Sequence, residues 1–343
     1  MKAAVLHGIK NIRIDEIKKP VIGPDEVLIK VKCVGVCGSD LHYYLNGRIG
    51  NQVVKGPHIL GHEVSGEIVE VGSNVTNINV GMRVAVEPGI PCGECEYCKT
   101  GRYNICPYIK FLATPPTNGG YCEYLTWHKD FIHSIPDSMS YAEGALVETM
   151  VVGLYAVELS ELKLGDNIAI LGCGPIGVVT LKSAIASGAN RIFVTDLIDD
   201  RLKFVRKYSN VVTINASREN PVDIINRLTD GRGVDIVFEA ASSIDTLRQA
   251  TEIVRIGGKV IWIGIPPEDY VSINAHIVRR KELVIKCVRR FKHNYRKCIS
   301  LIESGIISVK DMVTHEFKLE DIVKAFSIVE TRSDGVIKAI INI

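Results

Sequence analysis

The sequence is short of several things, and each shortage removes a class of function. Net charge is only +2, from 41 basic and 39 acidic residues, so no electrostatic case exists for nucleic acid or an anionic membrane. Aromatic residues make up 6%, too few for a base-stacking surface. Residues 1–10 carry no apolar core of a secretory leader, which sets the expectation of a cytoplasmic protein. The longest apolar run, residues 168–181, is shorter than a membrane-spanning helix and is broken by Gly172, Gly174, Pro175 and Gly177. No repeat or low-complexity tract is present, and Gly 30 and Pro 13 are ordinary counts for 343 residues.

What is present is apolar material for two cores: 46% hydrophobic residues in a chain too long for one comfortable domain. Residues 1–150 read as β-rich, with β-branched or alternating runs at 27–32, 64–71 and 83–86 between Gly, Pro and Asn turns. Residues 151–287 alternate strand and helix; 168–171, 191–195, 234–239 and 259–263 read as buried parallel strands. The fold class expected is α/β, a doubly wound parallel sheet of Rossmann type beside a β-rich domain. Residues 288–343 return to mixed character and are expected to rejoin the first domain, with the active site in the cleft between domains.

Gly172-Cys173-Gly174-Pro175-Ile176-Gly177 fits G-x-G-x-x-G. It follows an apolar strand and opens a helical stretch, and Asp196 ends the next strand about 20 residues later. The glycines permit a tight turn and close approach of pyrophosphate, and the helix N-terminus supplies N–H donors. Asp196 would accept from both ribose hydroxyls and repel a 2′-phosphate, favouring NAD over NADP; Arg201 nearby works the other way. The competing reading is a structural glycine turn and a surface aspartate.

Ten cysteines are present, and four fall at Cys92, Cys95, Cys98 and Cys106, spaced C-x2-C-x2-C-x7-C. Clustering of this kind points to metal rather than disulfides. Four thiolates on one tight loop suit a closed tetrahedral zinc; an iron–sulfur cluster is the weaker alternative. A second, dispersed set pairs Cys37, in Cys37-Gly38-Ser39-Asp40, with His62 and Glu63, and with Glu148. A catalytic zinc takes three protein ligands and keeps one position open. Each of these residues alone is ordinary. Cys33, Cys122, Cys173, Cys287 and Cys298 read as core or incidental.

Gly61-His62-Glu63 followed by Gly66, the cysteine loop, Gly119-Gly120-Tyr121-Cys122-Glu123-Tyr124 and the glycine turn together resemble the zinc-containing medium-chain dehydrogenases, in that family's order and over nearly the whole chain. Within the family, Gly47-Arg48-Ile49-Gly50-Asn51, Ala113-Thr114-Pro115-Pro116 and Val288-Arg289-Arg290-Phe291 resemble the sorbitol (L-iditol) group. The resemblance implies a GroES-like catalytic domain at 1–150 and two zinc ions per chain, a structural one on the 92–106 lobe and a catalytic one on Cys37, His62 and Glu63. Glu148 would hold the zinc-bound water or replace Glu63 as ligand. Ser39 and His42 would relay the proton. Ser39, Tyr43, Phe111, Thr114, Glu148 and Arg290 would line a polyol pocket, and the assembly would be a homotetramer. Two departures stand out: Thr149 follows Glu148 where the family often has proline, and the cysteine lobe is complete, as in the bacterial members rather than the animal ones.

The expected activity is NAD-linked oxidation of a polyol's secondary hydroxyl. A threonine or 2,3-butanediol dehydrogenase of the same build is the nearest alternative; no pair of groups suited to an amino acid's ammonium and carboxylate is evident. A zinc module for nucleic acid or protein, and a zinc-free reductase, are opposed by the charge balance and by the joint presence of Cys37, His62, Glu63 and Asp196.

Overall fold

The computed structural model describes residues 1–266 and 268–343. It divides into two units: residues 1–149 with 295–343, and residues 150–294.

The first unit is built on a seven-stranded sheet. Its order runs Ile132–Ser134, Arg83–Val86, Glu63–Val71, Glu26–Gly35, Lys338–Asn342, Val313–Lys318, and Tyr124–His128 also pairs with Glu26–Gly35. The central strand Glu26–Gly35 is buried on both faces for most of its length, which its Val, Leu and Ile content permits. Neighbours pair antiparallel except Val313–Lys318 with Lys338–Asn342. A three-stranded sheet of Asn11–Glu16, Lys2–Gly8 and His58–Ile59 packs into the same core, with Tyr44, Tyr121 and Phe326 among its larger side chains. Two crossings of the central sheet matter for chemistry: Gly35 lies opposite Glu63 and also opposite Ile340. They bring the end of the strand before Cys37, the strand carrying Glu63 and the strand carrying Lys338 side by side.

The second unit is a six-stranded, all-parallel sheet in the order Val211–Asn215, Ile192–Asp196, Ile168–Leu171, Val234–Glu239, Val254–Trp262, Val284–Cys287. Numbered along the chain that order is 3-2-1-4-5-6, the doubly wound dinucleotide-binding arrangement. The inner strands Ile168–Leu171 and Val234–Glu239 are wholly buried, and the apolar runs at 168–171 and 236–238 betray them. The sequence reading misses Val211–Asn215 and Val284–Cys287. Both lie at the sheet's edges and are partly exposed, so their residues are mixed and carry no such run.

Candidate active site and metal centres

The cysteine lobe is assembled almost wholly by local chain. Cys95 caps the short helix Glu96–Lys99, and Cys106 follows a single 3-10 turn, Tyr103–Ile105. Sγ–Sγ separations are 3.9 Å for Cys92–Cys98, 3.4 Å for Cys95–Cys98, 3.9 Å for Cys95–Cys106 and 3.6 Å for Cys92–Cys106. Four sulfurs at tetrahedral zinc bond lengths stand about 3.8 Å apart, so the lobe fits that ion. Backbone N–H groups of Cys95 and Cys92 point at the sulfurs of Cys92 and Cys106. Glu87 fastens the lobe to the sheet, accepting from Tyr103 Oη at 2.9 Å and pairing with His133 Nε2 at 2.8 Å.

The second set is assembled by tertiary structure. One donor atom from each of Cys37, His62 and Glu63 lies within 4.8 Å of the others, and His62 and Glu63 are buried. A thiolate, an imidazole and a carboxylate in one cluster, half-buried at Cys37 and buried at the other two, suit a zinc with an open coordination position. Asp40 organises the cluster. It is buried, accepts from the N–H groups of Cys37 and Gly61 and from Tyr121 Oη, and places Oδ1 3.5 Å from His62 Nδ1. With Nδ1 turned to Asp40, Nε2 is the nitrogen left for a metal. Burial opposes a charge on His62, but the Cys37 sulfur and Asp40 overcome it and hold its proton well above the usual histidine range. That proton has to leave when a metal takes the lone pair. Burial pushes the Glu148 carboxyl up to about 7, with His62 opposing the rise and Glu63 adding to it. Glu63 has space for its carboxylate because position 35 is glycine; a Cβ there would overlap Glu63 Oε2.

Of the residues expected around this centre, several come together. Ser39 Oγ donates to Cys37 Sγ at 3.3 Å, and the ring of Phe111 lies 5.8 Å from that of His62. Tyr43 is buried, with its hydroxyl 3.4 Å from Gln52 Oε1. Thr114 sits in a tight turn, its N–H donating to the carbonyl of Phe111. Between them Ala113 adopts φ 61° and its carbonyl meets His58 Nε2 at 3.1 Å, so His58 braces the segment. His42 is on the helix Gly38–Asn46, and burial lowers its pKa. Arg290 belongs to the second unit, just beyond the strand Val284–Cys287, with φ 55°. Asp40, Tyr121, His58 and Lys338 were missed in the sequence. Asp40 carried a signal, three residues after Cys37 in a helix's first turn, and Tyr121 stood inside a family motif without a role of its own.

In the second unit Gly172 (φ 100°) ends the strand Ile168–Leu171, and Gly174 caps the helix Pro175–Ala186 with Pro175 in its first turn. A Cβ on Gly177 would fall 1.9 Å from the Gly172 carbonyl oxygen, so the turn closes only on glycine. Gly174 has no side chain to cap the helix, which leaves its first N–H groups for an anion. Asp196 is pinned at the tip of the strand Ile192–Asp196. It accepts from Cys173 N–H at 2.8 Å and Ile198 N–H at 2.9 Å, and each oxygen keeps a lone pair for a hydroxyl. Arg201 Nη1 is 3.9 Å from Asp196 Oδ2 and borders Gly174. The turn fits a dinucleotide.

Comparison with known proteins agrees in both units. Residues 23–137 match the alcohol dehydrogenase GroES-like domain and residues 175–304 match the zinc-binding dehydrogenase family. The chain is 46% identical to sorbitol dehydrogenase of Bacillus subtilis, over 93% of this chain and 91% of that protein. Among solved structures, an Escherichia coli oxidoreductase of unknown specificity superposes with a TM-score of 0.94 at 38% identity, covering 99% and 98% of the two chains. The 2R,3R-butanediol dehydrogenase of Bacillus subtilis gives 0.91 at 35%, covering 100% and 99%. The chain belongs to the zinc-binding dehydrogenases with a GroES-like domain, the family of the sorbitol dehydrogenases.

Proposed function

We propose that the protein is a zinc-dependent polyol dehydrogenase that oxidises a secondary hydroxyl to a ketone with NAD as hydride acceptor. The observation that carries the reading is the cluster of Cys37, His62 and Glu63 in a chain that also folds a complete dinucleotide turn. The 46% identity to a sorbitol dehydrogenase supports the substrate class.

When bound, zinc supplies Lewis acidity that lowers a hydroxyl's pKa, and the nicotinamide takes the hydride. The chain's residues do the rest. Cys37, His62 and Glu63 hold the metal, with Asp40 fixing the His62 ring. Glu148 is poised at about 7 by burial to accept or return a proton, or to stand in for Glu63 as ligand. Ser39 and His42 offer a second route for the hydroxyl proton; burial favours neutral His42, which leaves it able to accept. Tyr43, Phe111 and Thr114 form the wall against which a polyol is oriented, and Arg290 donates to one of its hydroxyls. Gly172, Gly174, Pro175, Ile176 and Gly177 seat the pyrophosphate. Asp196 takes the ribose hydroxyls, and Arg201 beside it leaves some room for NADP. Cys92, Cys95, Cys98 and Cys106 hold the second, structural zinc. Residues 1–150 and 288–343 serve as the catalytic domain and 151–287 as the cofactor domain.

The test is NADH formation by zinc-loaded protein over sorbitol, xylitol, galactitol, L-iditol, 2,3-butanediol and threonine, with NADP run beside NAD. Turnover of a polyol that a chelator abolishes is the expected result. Turnover of butanediol alone, to which the solved butanediol dehydrogenase gives weight, overturns the substrate class and leaves the chemistry standing. The reading also carries the homotetramer and the cytoplasmic location. Light scattering on the purified protein checks the first and fractionation of the host cell the second.

A further inference from the structure

Lys338 is the second residue in a run that is otherwise apolar, Ile337-Lys338-Ala339-Ile340-Ile341, and it is only 2% exposed. Burying an ammonium is costly unless it is paired and its donors are used. All three donors are used. Nζ lies 2.6 Å from Glu63 Oε1, 2.7 Å from Glu63 Oε2 and 3.2 Å from the carbonyl oxygen of Val36. Val36 immediately precedes Cys37, so one ammonium ties together the two segments that bear the thiolate and the carboxylate. The partner is equally buried, at 1%. The chain has made room for it by placing glycine at position 35.

We propose that Lys338 is the metal centre's built-in counter-ion: it pairs with Glu63 when no metal is bound and so keeps the carboxylate buried and aimed for the metal's arrival. The inference rests on the zinc reading of Cys37, His62 and Glu63 proposed above. Lys338 is a positioning residue, because it touches a ligand rather than the reacting atoms. A carboxylate has lone pairs enough to keep Lys338 on one side and offer another to a metal. Two cations therefore share one carboxylate, and either can satisfy it alone. Removing Lys338 strands a buried charge in the metal-free protein, the costly way to break a buried pair. In the loaded protein the metal still balances Glu63, so the same substitution costs less. A lysine that merely packed would cost the same in both states.

The experiment is thermal melting of the full chain, zinc-loaded and chelator-stripped, for wild type, Lys338→Met and the double variant Lys338→Met/Glu63→Gln. Zinc per chain is counted in each. Stripping empties the cysteine lobe in all three alike, so stripped forms are compared with one another. Stripped Lys338→Met is expected to melt on the order of 10 °C below stripped wild type. In the loaded forms the gap shrinks to less than half of that, and in the stripped double variant, which has no charge to strand, most of the loss returns. Equal losses in both states, or no loss in either, overturn the proposal. If Lys338→Met does not fold without zinc, a folded double variant upholds the proposal and an unfolded one overturns it. A wild-type protein whose zinc content is unchanged by Cys37→Ala brings down the metal reading itself, a failure visible before any Lys338 variant is made.

Discussion

Cys92, Cys95, Cys98 and Cys106 sit on one loop, with Cys92 exposed and only Cys106 buried. Cys37 and the adjacent pair His62-Glu63 come from two separate segments, and their alignment depends on Gly35 standing opposite both Glu63 and Ile340 in the sheet. The lobe's sulfurs are positioned by neighbouring backbone N–H groups. The dispersed set is positioned by side chains from several segments: Asp40, itself held by Tyr121, beside His62, and Lys338 on Glu63. The first arrangement asks little of the fold and gives stability back to a loop that has no core of its own. The second exists only once three strands have paired in register, and it spends buried charge to do so. A metal in the lobe is therefore part of folding, and a metal on the dispersed set is part of chemistry.

The largest effect should separate the two. His62→Ala removes a ligand and the only imidazole in the cluster, and polyol turnover is expected to fall by about 10³-fold or more. Zinc should drop from two per chain to one, with circular dichroism unchanged. Full turnover in this variant would end the assignment. Cys98→Ser should do the reverse: zinc again falls to one, but the molecules still folded keep kcat within about threefold. What suffers is lifetime, with thermal inactivation about tenfold faster as the loop loses its closure. If kcat collapses as it does in His62→Ala, the lobe is no mere staple and the contrast fails.

The same contrast explains how much could be read from the sequence. The lobe is legible because its information is local: four cysteines at short spacers say nearly everything. The glycine turn is legible for the same reason, since Gly177 must be glycine for a contact with Gly172 close by in sequence, and Gly172 itself takes a φ of 100°. The dispersed set was gathered through the family's motifs, and its supporting residues stayed hidden. Lys338 in an apolar strand reads as a solvent-facing charge; only the register that places Ile340 beside Gly35, and Gly35 beside Glu63, turns it inward. His58 is invisible for a similar reason, because its partner is a backbone carbonyl at Ala113. The edge strands Val211–Asn215 and Val284–Cys287 escaped because exposure frees their composition from the burial rule that marks the inner strands.

The smallest effect uses the second unit as a metal-free reference, since among the described residues both candidate metal clusters lie in the first. Asp235 is buried there between Arg232 and Arg255, which donate to it at 2.7 Å each, and the N–H of Asn167 donates as well. Burial pushes its carboxyl up, but the two arginines and that N–H outweigh burial and hold it at about 2. The folded value lies below the unfolded one of about 3.9, so the charge stabilises the fold above pH 4 and the benefit is lost as pH falls from 4 to 2. Asp235→Asn should then cost roughly 1–2 kcal/mol at pH 7. Denaturant melts of variant and wild type should converge near pH 2. Because nothing in this network touches a metal ligand, the gap should be the same in zinc-loaded and stripped protein, unlike the gap expected at Lys338. A gap that persists at pH 2 would mean that the asparagine disturbs the geometry around Arg232 and Arg255 and that charge is not the source. A gap that changes on stripping would mean that the two units do not unfold independently, and that the lobe and the dispersed cluster influence stability well beyond the sheet that holds them.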